Sequence, residues 1–81
     1  MTNLEKYNLA FTSTFEIGED QLAGLKYQGI NNWDSVGHMT LIAALEETFN
    51  IMLDTEDIID FSSYEKGKDI LAKEEYGVVL C

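Results

Sequence analysis

Apolar residues recur at three- and four-residue intervals through much of this chain, and the intervals mark out helices. Thr2 and Glu5 have the spacing of a capping box, in which each side chain satisfies a backbone donor of the other residue. Leu4, Tyr7 and Phe11 follow as a buried stripe, so a first helix is predicted over about residues 2–14. From Phe15 to Trp33 the periodicity lapses. Gly18, Gly24, Gly29 and the Asn31–Asn32 pair are turn formers, and Ile17, Leu22, Leu25 and Ile30 are scattered among them. This reads as a long loop tacked to the core, with one short helical turn near Glu19–Leu25. A loop of that length in a compact domain tends to be functional.

The next element has the strongest pattern. Asp34 is a good N-cap. After it Val36, Met39, Ile42, Leu45 and Phe49 step by three or four, Leu41 widens the stripe, and Glu46 and Glu47 fall beside it toward solvent. This helix should end near Asn50. Asp54 or Thr55 starts a third, short helix through about Asp60, with Ile58 and Phe61 facing inward. Ser62 and Glu65 are spaced as a second capping box, opening a fourth helix to about Glu74 with Tyr64, Ile70 and Leu71 inward. Gly67 inside it should cost about 1 kcal/mol relative to alanine. The tail after Glu75 is apolar at Val78–Leu80, and packing, a strand-like extension and disorder are all open to it. The expectation is one all-α domain over residues 1–81, a small up-down four-helix bundle. Three helices are longer, the third is short, and a long loop joins helices 1 and 2.

Composition narrows the function. Eighty-one residues leave room for a modest core and make a large enzyme pocket improbable on size alone. Fifteen Asp and Glu against five Lys and no Arg give a net charge of −10. Nucleic acid and anionic membrane surfaces repel such a chain, so its partners should be basic protein patches or cations. The charge is uneven: residues 34–60 hold seven acids and no lysine. That stretch is either a solvated face or a docking surface for basic partners. One cysteine, Cys81, excludes an internal disulfide or a multi-cysteine zinc site and reads as an incidental terminal thiol. No apolar run suggests a signal peptide or a membrane span, which makes the cytoplasm the default expectation. The twelve residues Asp54–Glu65 fail as a calcium loop, because Ile58 and Ile59 stand where an oxygen ligand and a glycine are required. No metal site is expected.

Ser35 is the residue placed for chemistry. It lies at the first turn of the second helix, where unpaired backbone N–H groups and the positive end of the helix dipole favour an anion. A phosphate ester there would rest in a favourable field. His38, one turn on, is an ordinary surface or half-buried histidine by this reading, since no oxyanion donors accompany a Ser35–His38 pair. No catalytic residues are expected. Trp33 reads as a packing anchor for the loop, and Met39 and Ile42 as core.

The spaced constellation around Ser35 is more specific than any of its parts. Asp34-Ser35-Val36, Leu41-Ile42, Ala44-Leu45-Glu46-Glu47 and Phe49-x-Ile51, with the acidic segment Asp54-Thr55-Glu56-Asp57-Ile58, resembles the acyl carrier protein family from about Asn32 to Leu71. The resemblance implies that Ser35, beside the motif and cap residue Asp34, accepts 4′-phosphopantetheine from coenzyme A through a magnesium-dependent phosphopantetheinyl transferase. The arm then carries acyl groups as thioesters. It further implies a monomeric non-enzyme that meets acyl-loading and acyl-processing enzymes with basic patches, through Val36, Glu46, Glu47, Glu56, Asp57 and Asp60. The core of such proteins can open for a short acyl chain, which would give Met39 and Ile42 a double role. Many carriers of primary fatty acid synthesis have acids just after the serine. Here the corresponding exposed positions are Gly37 and Thr40, which points to a specialised pathway. An aminoacyl or peptidyl carrier, and an unmodified acidic helical adaptor, are the competing readings.

Overall fold

Thr2 begins the first helix as its spacing predicts. Its hydroxyl accepts from the Glu5 N–H at 3.1 Å, and the Glu5 carboxylate accepts from the Thr2 N–H at 2.9 Å. The bond from Thr2 holds the Glu5 carboxyl below its usual range. A computed structural model describes residues 2–80; Cys81 lies outside them. Helix α1 spans Asn3–Phe15, α2 Ser35–Phe49, α3 Thr55–Asp60 and α4 Tyr64–Leu71, with one 3₁₀ turn at Glu19–Gln21 in the long connection. The architecture is the expected all-α bundle. Both long helices close on a left-handed residue, Glu16 after α1 and Asn50 after α2, whose N–H groups return to the Thr12 and Glu46 carbonyls.

An aromatic cluster fills the centre. Tyr7, Phe11 and Phe15 project from one face of α1 and meet Trp33 from the loop, Phe61 after α3 and Tyr64 from α4. Phe11 lies edge-on to Tyr7, Phe15, Trp33 and Tyr64 with centroids 5.0–6.1 Å apart. Such pairs add about 0.5–1.5 kcal/mol each beyond the area they bury. From α2, Leu41, Ile42 and Leu45 close the core. The polar groups here are satisfied: the Tyr7 hydroxyl donates to the Tyr64 carbonyl at 2.6 Å, and the Tyr64 hydroxyl donates to the Asn8 side chain. Burial pushes the Tyr7 hydroxyl far above the usual phenol range.

The α2 stripe differs from the expected one at its N-terminal end. Val36 is 76% exposed and Met39 54% exposed. At about 100° per residue, Leu41, Ile42 and Leu45 share one face, Met39 falls at its edge and Val36 on the far side. A three-or-four step stays on one face only when threes and fours alternate. The run from Val36 to Met39 to Ile42 to Leu45 uses three threes and drifts around the helix.

The fourth helix also departs from expectation. Its N-cap is Ser63, whose hydroxyl accepts from the Lys66 N–H at 2.9 Å. Ser62 instead offers its carbonyl to the Tyr27 N–H at 2.9 Å, and the Tyr64 N–H donates to the Leu25 carbonyl. This antiparallel bridge pins the loop to the α3–α4 junction and takes Ser62 out of the helix. The helix stops at Leu71, short of Glu74, and tight turns carry the chain to Gly77 in a left-handed conformation. The tail packs: Val78 is buried and donates its N–H to the Leu71 carbonyl, and Asn3 donates its side-chain amide to the Val79 carbonyl.

Gly67 is buried where α4 crosses the aromatic cluster, and a Cβ there would collide with the Phe61 ring and the Tyr7 hydroxyl. Helix propensity alone favours alanine by about 1 kcal/mol. Overpacking outweighs that gain, so Gly67→Ala should destabilise the protein by about 1–3 kcal/mol in urea unfolding.

Candidate functional site

Asp34 fixes the start of α2. Its carboxylate accepts from the Gly37 N–H at 2.8 Å and its carbonyl from the His38 N–H at 2.8 Å. Ser35 follows in the first turn and is exposed. Its hydroxyl lies 3.3 Å from that of Tyr27, which the bridge to Ser62 holds against this end of the helix. Ser35 stands at the rim of an apolar groove of about 410 Å³ between α2 and α3. His38 and Met39 line it from α2 and Ile58 and Ile59 from α3, with Phe61, Ser62 and the loop residue Tyr27 completing the lining.

His38 links the loop to both helices that line the groove. The indole N–H of Trp33 donates to His38 Nδ1 at 3.0 Å. An indole N–H can only donate, so Nδ1 carries a lone pair and Nε2 carries the hydrogen. Nε2 therefore donates to the Ile58 carbonyl at 2.8 Å. One ring thus joins the loop, α2 and α3. Both nitrogens are occupied, so neither is free to take a proton from Ser35. Trp33 is fully buried, stacked on Phe15 at 5.3 Å, and is the loop anchor that its position suggests.

The expected docking residues divide. Glu47, Glu56 and Asp60 are exposed, as are Asp34 and Val36. Glu46 is half-buried and accepts from the Leu53 N–H at 2.9 Å, so part of it closes the turn after α2. Asp57 is not a surface residue: it is 4% exposed. The Lys73 ammonium and the Tyr76 hydroxyl donate to its two oxygens, which ties α3 to the turns after α4. It lies on the inner side of a six-residue helix, and spacing within so short a segment could not separate inner from outer. Gly37 also departs from expectation. It is half-buried, and a Cβ would collide with the Asn32 carbonyl, because the loop backbone runs directly over the helix there. Thr40 is exposed as expected.

Two features of the site have no signal in helical spacing. Tyr27 sits in the aperiodic loop, eight residues from Ser35 in sequence. Ile59 is 73% exposed and, with Met39, turns the groove rim apolar. Away from the groove, carboxylate oxygens of Asp54, Asp57 and Glu75 lie within 4.8 Å of one another. Sharing with Asp54 pushes the Glu75 carboxyl up, while Lys73 and Tyr76 already occupy Asp57. Comparison with protein-family models, curated proteins and solved structures found no match for this chain. Among the described residues no helix is long and apolar enough to cross a membrane.

The Asp57 cluster makes stability depend on pH. Hydrogen bonds from Lys73 first, and then Tyr76, hold the Asp57 carboxyl below the usual range, and burial pushes the Tyr76 hydroxyl up to about 12. A depressed carboxyl contributes stability that is present above its unfolded value, near 4, and lost as pH falls through the folded one. Asp57→Asn should therefore lower the urea midpoint clearly at pH 7. The gap from the unaltered protein should narrow by pH 3.

Proposed function

We propose that this protein is an acyl carrier protein, with Ser35 bearing a 4′-phosphopantetheine arm. The observation that carries the reading is an exposed serine at the first turn of a helix, on the rim of an apolar groove. The chain's own residues fit the group. Ser35 offers a reachable hydroxyl, the helix start favours a phosphate, and Met39, Ile58 and Phe61 offer an apolar surface to a bound chain. In the modification, the Ser35 oxygen bonds to the pantetheine-side phosphorus of coenzyme A. The pyrophosphate linkage breaks, the nucleotide bisphosphate leaves, and the serine proton passes to the transferase. The arm, when attached, supplies the thiol that holds acyl groups as thioesters. Asp34 orients the modified turn, and the groove shields apolar cargo from water.

The apolar lining favours acyl over aminoacyl or peptidyl cargo. The exposed apolar Val36, Met39 and Ile59 and the exposed acids Glu47, Glu56 and Asp60 on the same two helices support docking to an enzyme with an apolar patch and basic residues. Such an interface suits the monomeric carrier that the motif resemblance implies, serving a specialised pathway in the cytoplasm. An unmodified acidic adaptor would use the same acids and leave Ser35 bare.

Two measurements test the reading. Incubated with coenzyme A, magnesium and a phosphopantetheinyl transferase, the protein should gain one phosphopantetheine by intact mass, and Ser35→Ala should gain none while melting normally. Modification that persists in Ser35→Ala would remove Ser35 from its role, and no gain in either protein would favour the adaptor. In the second, replacing Glu47, Glu56 and Asp60 together by lysine should raise the transferase KM roughly tenfold, since exposed ion pairs are individually weak. The effect should shrink as salt rises. A KM unmoved by the three changes would argue for an interface that is apolar throughout.

A further inference from the structure

Tyr27 is more tightly placed than a loop tyrosine needs to be. Its N–H donates to the Ser62 carbonyl at 2.9 Å, and the next residue, Gln28, donates to the Trp33 carbonyl at 2.9 Å. Its ring stands edge-on to both Trp33 and His38, with centroids 6.3 and 5.4 Å away. The backbone and the ring are thus both fixed, and the phenol oxygen is delivered to one place. That place is 3.3 Å from Ser35 Oγ. The separation is long for an O–H···O bond, which prefers about 2.7–2.8 Å. Among the described residues neither hydroxyl has another hydrogen-bond partner. A well-anchored donor therefore faces an oxygen that it does not quite reach.

We infer that the Tyr27 hydroxyl is the positioning donor for a phosphate carried on Ser35. The inference rests on the proposed function and names the residue that would orient the arm. Esterified, Ser35 Oγ loses its proton, and anionic oxygens appear one P–O bond farther out, where the phenol can close on them. A hydrogen bond to an anionic acceptor is shorter and about twice as strong as a neutral one. The donor's neutrality matters here. Asp34 is the adjacent residue, and residues 34–60 contain no lysine, so neither α2 nor α3 offers the phosphate a cationic side chain. Ser62 and His38 line the same groove, but His38 is committed to Trp33 and Ile58. Holding the phosphate against Tyr27 keeps the root of the arm on the rim beside Met39 and Ile58.

The test is Tyr27→Phe, which removes one oxygen and keeps the ring packing. Both proteins are converted with coenzyme A and transferase, and the phosphodiester is observed by phosphorus NMR. Both should reach the same mass. The variant's phosphorus resonance should shift and narrow, and its acyl thioester should hydrolyse faster by roughly two- to tenfold, the range one hydrogen bond supports. As a measurement that needs no variant, the Tyr27 ring carbons of the unaltered protein should move between the unmodified and modified forms. Full mass gain with identical phosphorus spectra, or unmoved Tyr27 signals, overturns the positioning role and leaves the carrier reading intact. No mass gain in the unaltered protein overturns the carrier reading and this role with it.

Discussion

Burying Trp33 leaves one polar atom, the indole N–H, without access to water, and the way it is satisfied organises much of the molecule. Its acceptor is His38, whose other nitrogen must then donate, and the Ile58 carbonyl receives it. An unsatisfied buried donor would cost about 1–3 kcal/mol. The requirement therefore ties the end of the long loop to α2, and α2 to the short α3. A six-residue helix has little intrinsic stability. It stays in place because His38 grips its carbonyl on one side and Lys73 and Tyr76 grip Asp57 on the other.

The groove follows from those two grips. It opens between α2 and α3, and it is apolar because exposed Met39 and Ile59, half-buried Ile58 and buried Phe61 line it. Ser35 sits at its rim because Asp34 caps the helix one residue earlier. Position, exposure and an apolar neighbourhood thus arise from one helix start and one short helix.

Much of this was legible in the chain. The Thr2–Glu5 box, the Asp34 cap, the short third helix and the anchoring role of Trp33 are local patterns, and each appears where its spacing predicts. What escaped is non-local. The α4 cap lies at Ser63, where the backbone pairs with Lys26 while the Ser62 carbonyl accepts from the Tyr27 N–H, a pairing invisible from either segment alone. Asp57 looks like one more surface acid until Lys73 and Tyr76 arrive from after α4. Gly67 looks like a weak point in a helix until Phe61 and Tyr7 claim its space. Of the site, Ser35 and its motif were readable, and Tyr27 was not, because an aperiodic loop gives no direction to its side chains.

The contact between Gly37 and the Asn32 carbonyl limits how this surface can diversify. Any side chain at position 37 lifts the loop off the helix, and Trp33 with it. On α2, new partner preferences beside Ser35 can therefore arise at positions 36, 39 and 40, where the side chains are already exposed. A duplicated copy of this gene drifting toward a different enzyme would keep its glycine and change the three residues around it.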